Sequence, residues 1–435
     1  MRRLFAAVMF SMLVLLLFLS TCSGAGKVQV IKYWYPWGGD SEKWDKWRIA
    51  EFEKDNPGYK VEATYVPTDG GIANGKLMAA IAGGNPPDLV ITHDYASAYS
   101  FATQGAFLPL DSALGGAGFR ISRMNPVFQD VMKYKGHIYL FPQDSNVNLL
   151  YYNTDLFKEA GLDPDNPPKT IDQLDACAEK LTKVNNGKIE RLGFIPWIDA
   201  GDEAPFMWAY MFGANLYNAK TNKVDLTSGK VANMLNWERK YARKYNPEKI
   251  KSFTSGFGGA FSPDHPFMTG KVAMTINGNW FNNALRIYAP KIKYNIAPIP
   301  APEGGRYGGS NLGTNVFAVP KGAKNIKGAA VFMMYAGKAK IMDDNIKQWR
   351  SVTIFPEDYQ NFTLVKEKDK YFQMILAIAA NKNSGHTALT SVAKQMGDDL
   401  KSIRDNVIYN DVDPVKLLAD EEKKLQTQVN NNAKK

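Results

Sequence analysis

Residues 28–92 switch repeatedly between strand and helix hydropathy periods, and this restricts the fold more than any single motif does. VQVIKYWY alternates and then breaks at Pro36 and Gly38-Gly39, which predicts a strand followed by a loop carrying Trp37. Ser41 can cap the segment EKWDKWRIAEFEKD, where Trp44, Trp47 and Phe52 define one apolar helical face, so both tryptophans read as core. Asn56-Pro57-Gly58 ends that helix, KVEATYV alternates again, and NGKLMAAIAGGNPPDLVIT supplies a helix, a Gly/Pro break and a fully apolar strand. Strand, helix, strand, helix, strand in series predicts a parallel sheet with right-handed crossovers.

In open α/β sheets small ligands bind at the carboxyl ends of the strands. Asp94 and Tyr95 follow the third strand and Trp37 follows the first, so all three fall on that rim. Asp94 also suits a helix N-cap, a role compatible with ligand contact. The stretch FMTGKVAMTINGNW repeats the arrangement: Gly270 stops a helix, residues 272–276 are an apolar run, and Asn277-Gly278-Asn279 is a turn that delivers Trp280 to the start of FNNALRIY. A core role for Trp280 is equally compatible with its spacing.

The chain has 435 residues, 45% of them hydrophobic, enough for a large core divided between two or three lobes. The net charge of +10 is scattered among acids with no basic run, so nucleic-acid binding is not expected. Arg2-Arg3, an apolar stretch over 4–19 and the small residues after it have the layout of a secretory signal peptide, assigned to residues 1–21. Leu19-Ser20-Thr21-Cys22 resembles a bacterial lipobox, which implies lipidation of Cys22 and a surface-anchored or periplasmic protein; ordinary cleavage near Ala25 is the alternative. The second cysteine, Cys177, shares helical spacing with Leu174 and Leu181 and reads as a buried structural thiol.

Further landmarks follow in order: GNPPDLV (84–90), LLYYNTDLFKEAGL (149–162), PPKTIDQL (167–174), FMTGKVAMTINGNW (267–280), and IAPIPAPEGG (296–305) leading into GGSNLGTNVFAVPKGAKNIKGAAVFMMY. As an ordered set the chain resembles the extracellular solute-binding proteins of the carbohydrate-uptake class, the maltose-binding-protein-like receptors of bacterial ATP-driven (ABC) sugar importers. The resemblance covers most of residues 27–335; beyond that it rests on helical pattern. It implies an α/β fold of two lobes, each a mixed or parallel sheet flanked by helices, with about three hinge crossings. Polar breaks near 142–145, 293–295 and 335–340 would make the crossings, giving lobe 1 residues 27–142 plus 293–335 and lobe 2 residues 143–292 plus 336–435. It also places Asp94 on the cleft carboxylate after the PDLV strand, Asn146 on a polar cleft position that can be acidic in the family, and Trp280 on the stacking tryptophan of the G-x-W turn.

A site for pyranose rings needs aromatic platforms for C–H faces and amides or carboxylates for hydroxyls. Trp37, Trp197, Trp208 and Trp280 are the candidate platforms, and Asn311 beside Gly308-Gly309 is a further polar candidate, since glycines let backbone approach a ligand. Trp208, in FMWAYMFGAN, fits a helix core as well, and Asn311 a plain turn. The four histidines and two cysteines show no metal-ligand spacing, and no G-x-S-x-G elbow occurs, so no metal or cofactor is expected. The enzymatic alternative is a secreted glycoside hydrolase pairing Asp94 with Asp199, Asp202 or Glu203. A surface adhesin would fit export but not the lobed plan. The expected partners are a carbohydrate and the permease's membrane subunits, with the receptor itself a monomer. From Asp398 the chain reads as two helices separated by a break at Asp413-Pro414.

Overall fold

The computed structural model describes residues 27–67, 75–198 and 204–434. The signal segment 1–21, Cys22, and the carboxylates Asp199, Asp202 and Glu203 lie outside the described residues.

The first half of the chain gives β1 (Gln29–Tyr35), α1 (Gly39–Asp55), β2 (Tyr59–Tyr65), α2 (Lys76–Ala82), β3 (Leu89–Thr92) and α3 (Tyr95–Thr103). After several short elements come β4 (Leu140–Pro142), β5 (Asn148–Asn153), α4 (Ile171–Leu181), α5 (Ala204–Met211) and α6 (Lys230–Tyr245). Then follow β6 (Met274–Gly278), α7 (Phe281–Tyr288), β7 (Tyr294–Ala297) and β8 (Val316–Ala318). The chain closes with α8 (Ile326–Ala336), α9 (Ala339–Trp349), α10 (Lys370–Ala379), α11 (Ala393–Tyr409) and α12 (Pro414–Ala433). Among the described residues no helix is long and apolar enough to cross a membrane.

The first sheet has the order β2-β1-β3-β8-β4. The β1–β2 and β1–β3 pairs are parallel, as the alternating periods predict, while β8 runs antiparallel to β3 and β4. β3 is buried along its whole length, whereas β1, also flanked on both sides, buries Ile31, Tyr33 and Tyr35 and exposes Lys32. The Asp88 carboxylate fastens this layer, accepting from the backbone N–H groups of Lys32, Lys324 and Asn325 at 2.8–2.9 Å. An acid in that motif is therefore explained by three backbone donors it satisfies.

The second sheet has the order β6-β5-β7, both outer strands antiparallel to β5. This moves one expected boundary. Tyr294 and Ile296 pair with Asn153 and Tyr151, so residues 294–297 belong to the second sheet and not to lobe 1. The return to the first sheet comes between β7 and β8. The third passage also lies beyond 335–340: α9 touches α1 through Trp44 and packs on α7, and the extended residues that follow run beside the first crossing.

Two further expectations need correction. Phe52 of α1 is buried, but Trp44 and Trp47 are only half-buried; the buried face instead carries Asp45, Arg48 and Ile49. Arg48 donates to Asp45, to Gln143 Oε1 and to the Tyr33 hydroxyl, so a paired charge occupies the place where an apolar stripe was read. Cys177 is half-buried, and burial raises its thiol above the ordinary value, which makes it a poor nucleophile.

Glu238 of α6 is 0% exposed and neither carboxylate oxygen has a hydrogen-bond partner. Burial pushes its carboxyl up to about 7 from an ordinary 4.5, with Arg404 pulling it down and Asp405 pushing it up. The native state then holds a proton that the unfolded chain releases between 4.5 and about 7, so stability falls as pH rises through that window and levels off above it. Glu238→Gln should flatten the fall and raise stability above pH 7 by up to about 3 kcal/mol. Urea titrations from pH 5 to 8 check this; an unchanged slope in the variant contradicts it.

Candidate functional site

Three stretches of chain meet side by side between the sheets. Ser145 and Val352 exchange backbone hydrogen bonds, each 2.7 Å, and Asn146 and Gly313 exchange another pair at 2.8 and 2.9 Å. Gln143 adds a bond from its N–H to the Asn315 carbonyl at 2.7 Å. The residue run 143–147 is thus the middle strand of a small ladder joining the two sheets, flanked by 313–315 and 351–353. Asp144 beneath it is buried, which raises its carboxyl above the ordinary range, and the Asn315 backbone and side-chain amides oppose that rise by donating to it.

Side chains around the ladder are amides and hydroxyls. Asn146 Oδ1 accepts from Asn279 Nδ2 at 3.1 Å and from Ser351 Oγ at 3.2 Å. Asn279 also accepts from the Val147 N–H and donates to the Trp349 carbonyl, which fixes the turn before Trp280. Asn148 reaches across to Asn311, donating from Nδ2 to Oδ1 at 3.1 Å. Asn311 is 0% exposed, so it is an interior residue of the hinge and not a turn tip; its Nδ2 makes no protein hydrogen bond. Ser145 Oγ is likewise buried without a protein partner. A buried donor left in that condition costs about 1–3 kcal/mol.

The glycines at 308 and 309 serve a different contact from the one expected. A Cβ on Gly309 would lie 2.3 Å from the Asn383 carbonyl oxygen, and Leu312 donates to the Gly385 carbonyl. The close approach is by the chain's own 381–385 segment. That segment continues past the first lobe, where the Thr387 N–H donates to the Tyr95 hydroxyl at 2.6 Å and Ser100 Oγ donates to the Ser391 carbonyl at 2.8 Å. Tyr95 is accordingly buried, clamping this segment from the rim of β3. Asp94 caps α3, accepting from the Ser97 N–H at 2.9 Å, and remains half-exposed.

The aromatic candidates divide. Trp280 is half-buried and precedes α7 directly. Its indole lies over Gly278, where a Cβ would come within 2.1 Å of Nε1, so the glycine of the turn is a steric requirement. Phe261, 46% exposed, stacks on Trp280 with ring centroids 5.2 Å apart and meets Trp349 edge-on at 6.2 Å. Trp37 is half-buried in the loop after β1, and Trp197 is also half-buried. Trp208 is not a cleft residue: it is 0% exposed, packs edge-on against Trp237 at 4.7 Å, and donates from Nε1 to the Pro196 carbonyl at 2.9 Å.

Sequence reading missed Asn148, Asn279, Phe261, Ser351 and Thr387. Asn279 had a local signal in the G-x-W turn; the others are brought in by segments remote in sequence.

The model of the family described as bacterial extracellular solute-binding protein matches residues 38–343. The uncharacterized ABC transporter extracellular-binding protein PH1214 of Pyrococcus horikoshii is 27% identical over 315 residues, 71% of this chain and 67% of its own length. The sn-glycerol-3-phosphate-binding periplasmic protein UgpB of Escherichia coli K12 is 26% identical over 373 residues, 81% of this chain and 80% of its own. Among solved structures, CpMnBP1 with mannotriose bound gives a TM-score of 0.83 at 33% identity, covering 91% of this chain and 99% of that one. The maltose/maltodextrin-binding domain MalE of Bdellovibrio bacteriovorus, bound to maltotriose, gives 0.70 at 20% identity over 93% and 100%, a likeness of fold alone.

Proposed function

The chain belongs to the bacterial extracellular solute-binding protein family, and from that premise we propose that it is the receptor of an ABC importer that captures a neutral mannose-type oligosaccharide between its lobes and delivers it to the permease's membrane subunits. The observation that carries the ligand class is the composition of the interlobe belt. Asn146 and Asn148, the partly exposed members, present amides that suit sugar hydroxyls, and buried Asn279, Ser351 and Asn311 orient them through hydrogen bonds. A phosphate ester, the ligand named for UgpB, would call for cationic groups, and the belt's own amides and hydroxyls are uncharged. Trp280, stacked on exposed Phe261, supplies the flat apolar surface that C–H faces need. The 33% identity to a mannotriose-bound protein points the same way.

We read the protein as a monomeric binder and not a hydrolase. Glycoside hydrolysis uses two carboxylates flanking the bond, whereas the matching family and the UgpB relative are described as binding proteins. Contacts from both lobes at once are what allow a ligand to favour the closed form.

Thermal-shift and calorimetric titration should show binding of mannobiose or mannotriose, recovered intact after hours, and no shift with sn-glycerol 3-phosphate. Trp280→Ala should lower saccharide affinity by about 1–3 kcal/mol, while Trp208→Ala should instead lower the melting temperature. Cleavage of the sugar, or tight binding of the phosphate ester alone, contradicts the reading. Attachment to the membrane through Cys22 is part of the same proposal: mass spectrometry should find an acylated Cys22 at the mature N-terminus, and a chain starting after Ala25 contradicts it.

A further inference from the structure

Beyond the belt, a pocket of about 410 Å³ opens between α1 of the first lobe and α7 and α9. Its walls include Trp44, Trp47 and Trp349, with Asn283, Arg286 and Gln348 as polar groups. That volume lies in the range of small-molecule sites, roughly 300–1,000 Å³. Helical spacing assigned Trp44 and Trp47 to the core, yet both are half-buried here, and their place on the buried face of α1 is taken by the Asp45–Arg48 pair. The pocket wall is also held in register: Trp44 donates from Nε1 to Asp344 Oδ2 on α9 at 2.9 Å, another lining residue, and its ring lies 4.8 Å from the Arg48 guanidinium. Two partners for one half-exposed indole orient a ring that faces a cavity.

This pocket shares Trp349 with the aromatic surface at Trp280. Phe261 touches both Trp280 and Trp349, and Trp349 is itself part of the pocket wall. Asn283 and Arg286 belong to α7, the helix that begins immediately after Trp280, and Arg286 donates to Asn283 Oδ1. A row of aromatic rings with amide and guanidinium groups between them is the chemistry of successive pyranose units.

We propose that the pocket bounded by Trp44, Trp47 and Trp349 is an additional pyranose subsite, so that the ligand is an oligosaccharide running from Trp280 past Phe261 into the space between α1 and α9. This rests on the saccharide reading: the third and later units occupy the pocket. Because α1 and α7 come from different lobes, a unit held there also bridges them, and chain length couples to closure.

The test is isothermal titration calorimetry of the whole mature protein with mannobiose, mannotriose and mannotetraose. Affinity should rise by about fivefold or more from two to three or four units. Trp47→Ala removes a wall of the pocket and Gln348→Trp fills it. Both should abolish the gain with length while changing mannobiose affinity by no more than about twofold. Melting curves confirm that each variant is folded, and the opposite volume changes of the two variants keep the result independent of either one's stability. No gain with length in the unaltered protein, or a gain that survives in both variants, overturns the subsite and leaves the receptor reading standing. Failure of every saccharide to bind the unaltered protein overturns both.

Discussion

The structure depends on the ladder of backbone hydrogen bonds in which residues 143–147 lie between 313–315 and 351–353. Three covalent links between two lobes, bonded to one another, leave them a hinge motion and little freedom to twist or separate. The same ladder places the polar belt: Ser145 and Asn146 come from the first passage, Asn311 precedes the second, and Ser351 belongs to the third. A ligand that bonds to this belt therefore touches the element about which the lobes move. On the first-lobe side the ladder is braced by Arg48, whose guanidinium connects α1, Tyr33 of β1 and Gln143.

The lobes also meet away from the hinge. Tyr95 and Ser100 hold the 387–391 segment, which leads into α11 of the second core, and α3 packs against α11. Receptors of this kind turn ligand affinity into a shape that the membrane partner can recognise, and only contacts that differ between open and closed forms contribute to that shift. Trp280 is half-buried against exposed Phe261, while Trp208 is packed with its aromatic neighbours in the interior of one core.

Local periodicity made much of this legible. β1, β2 and β3 with their crossovers followed from alternation and from the Gly/Pro breaks, and Trp280 was placed between β6 and α7 by the Asn-Gly-Asn turn. Asp94 was readable as a cap and is one. Periodicity failed where burial is polar. On α1 the helical face was assigned to Trp44 and Trp47, but the interior there holds the Asp45–Arg48 pair, and no hydropathy rule anticipates a buried ion pair. β7 was assigned to the wrong lobe because nothing within residues 294–297 states which strand they will pair with. Gly309 was read as letting backbone approach a ligand, and the fold shows that its close neighbour is the Asn383 backbone. Asn148, Ser351 and Thr387 carry no local signal, since their positions are set by pairings more than a hundred residues apart.

The account holds that the two lobes rotate about the ladder to enclose a sugar. Small-angle X-ray scattering of the mature protein, without and with saturating mannotriose, tests this most directly. A fall in the radius of gyration that reverses when the sugar is dialysed away is the predicted result. A radius of gyration that stays the same while calorimetry shows the site to be filled would contradict it.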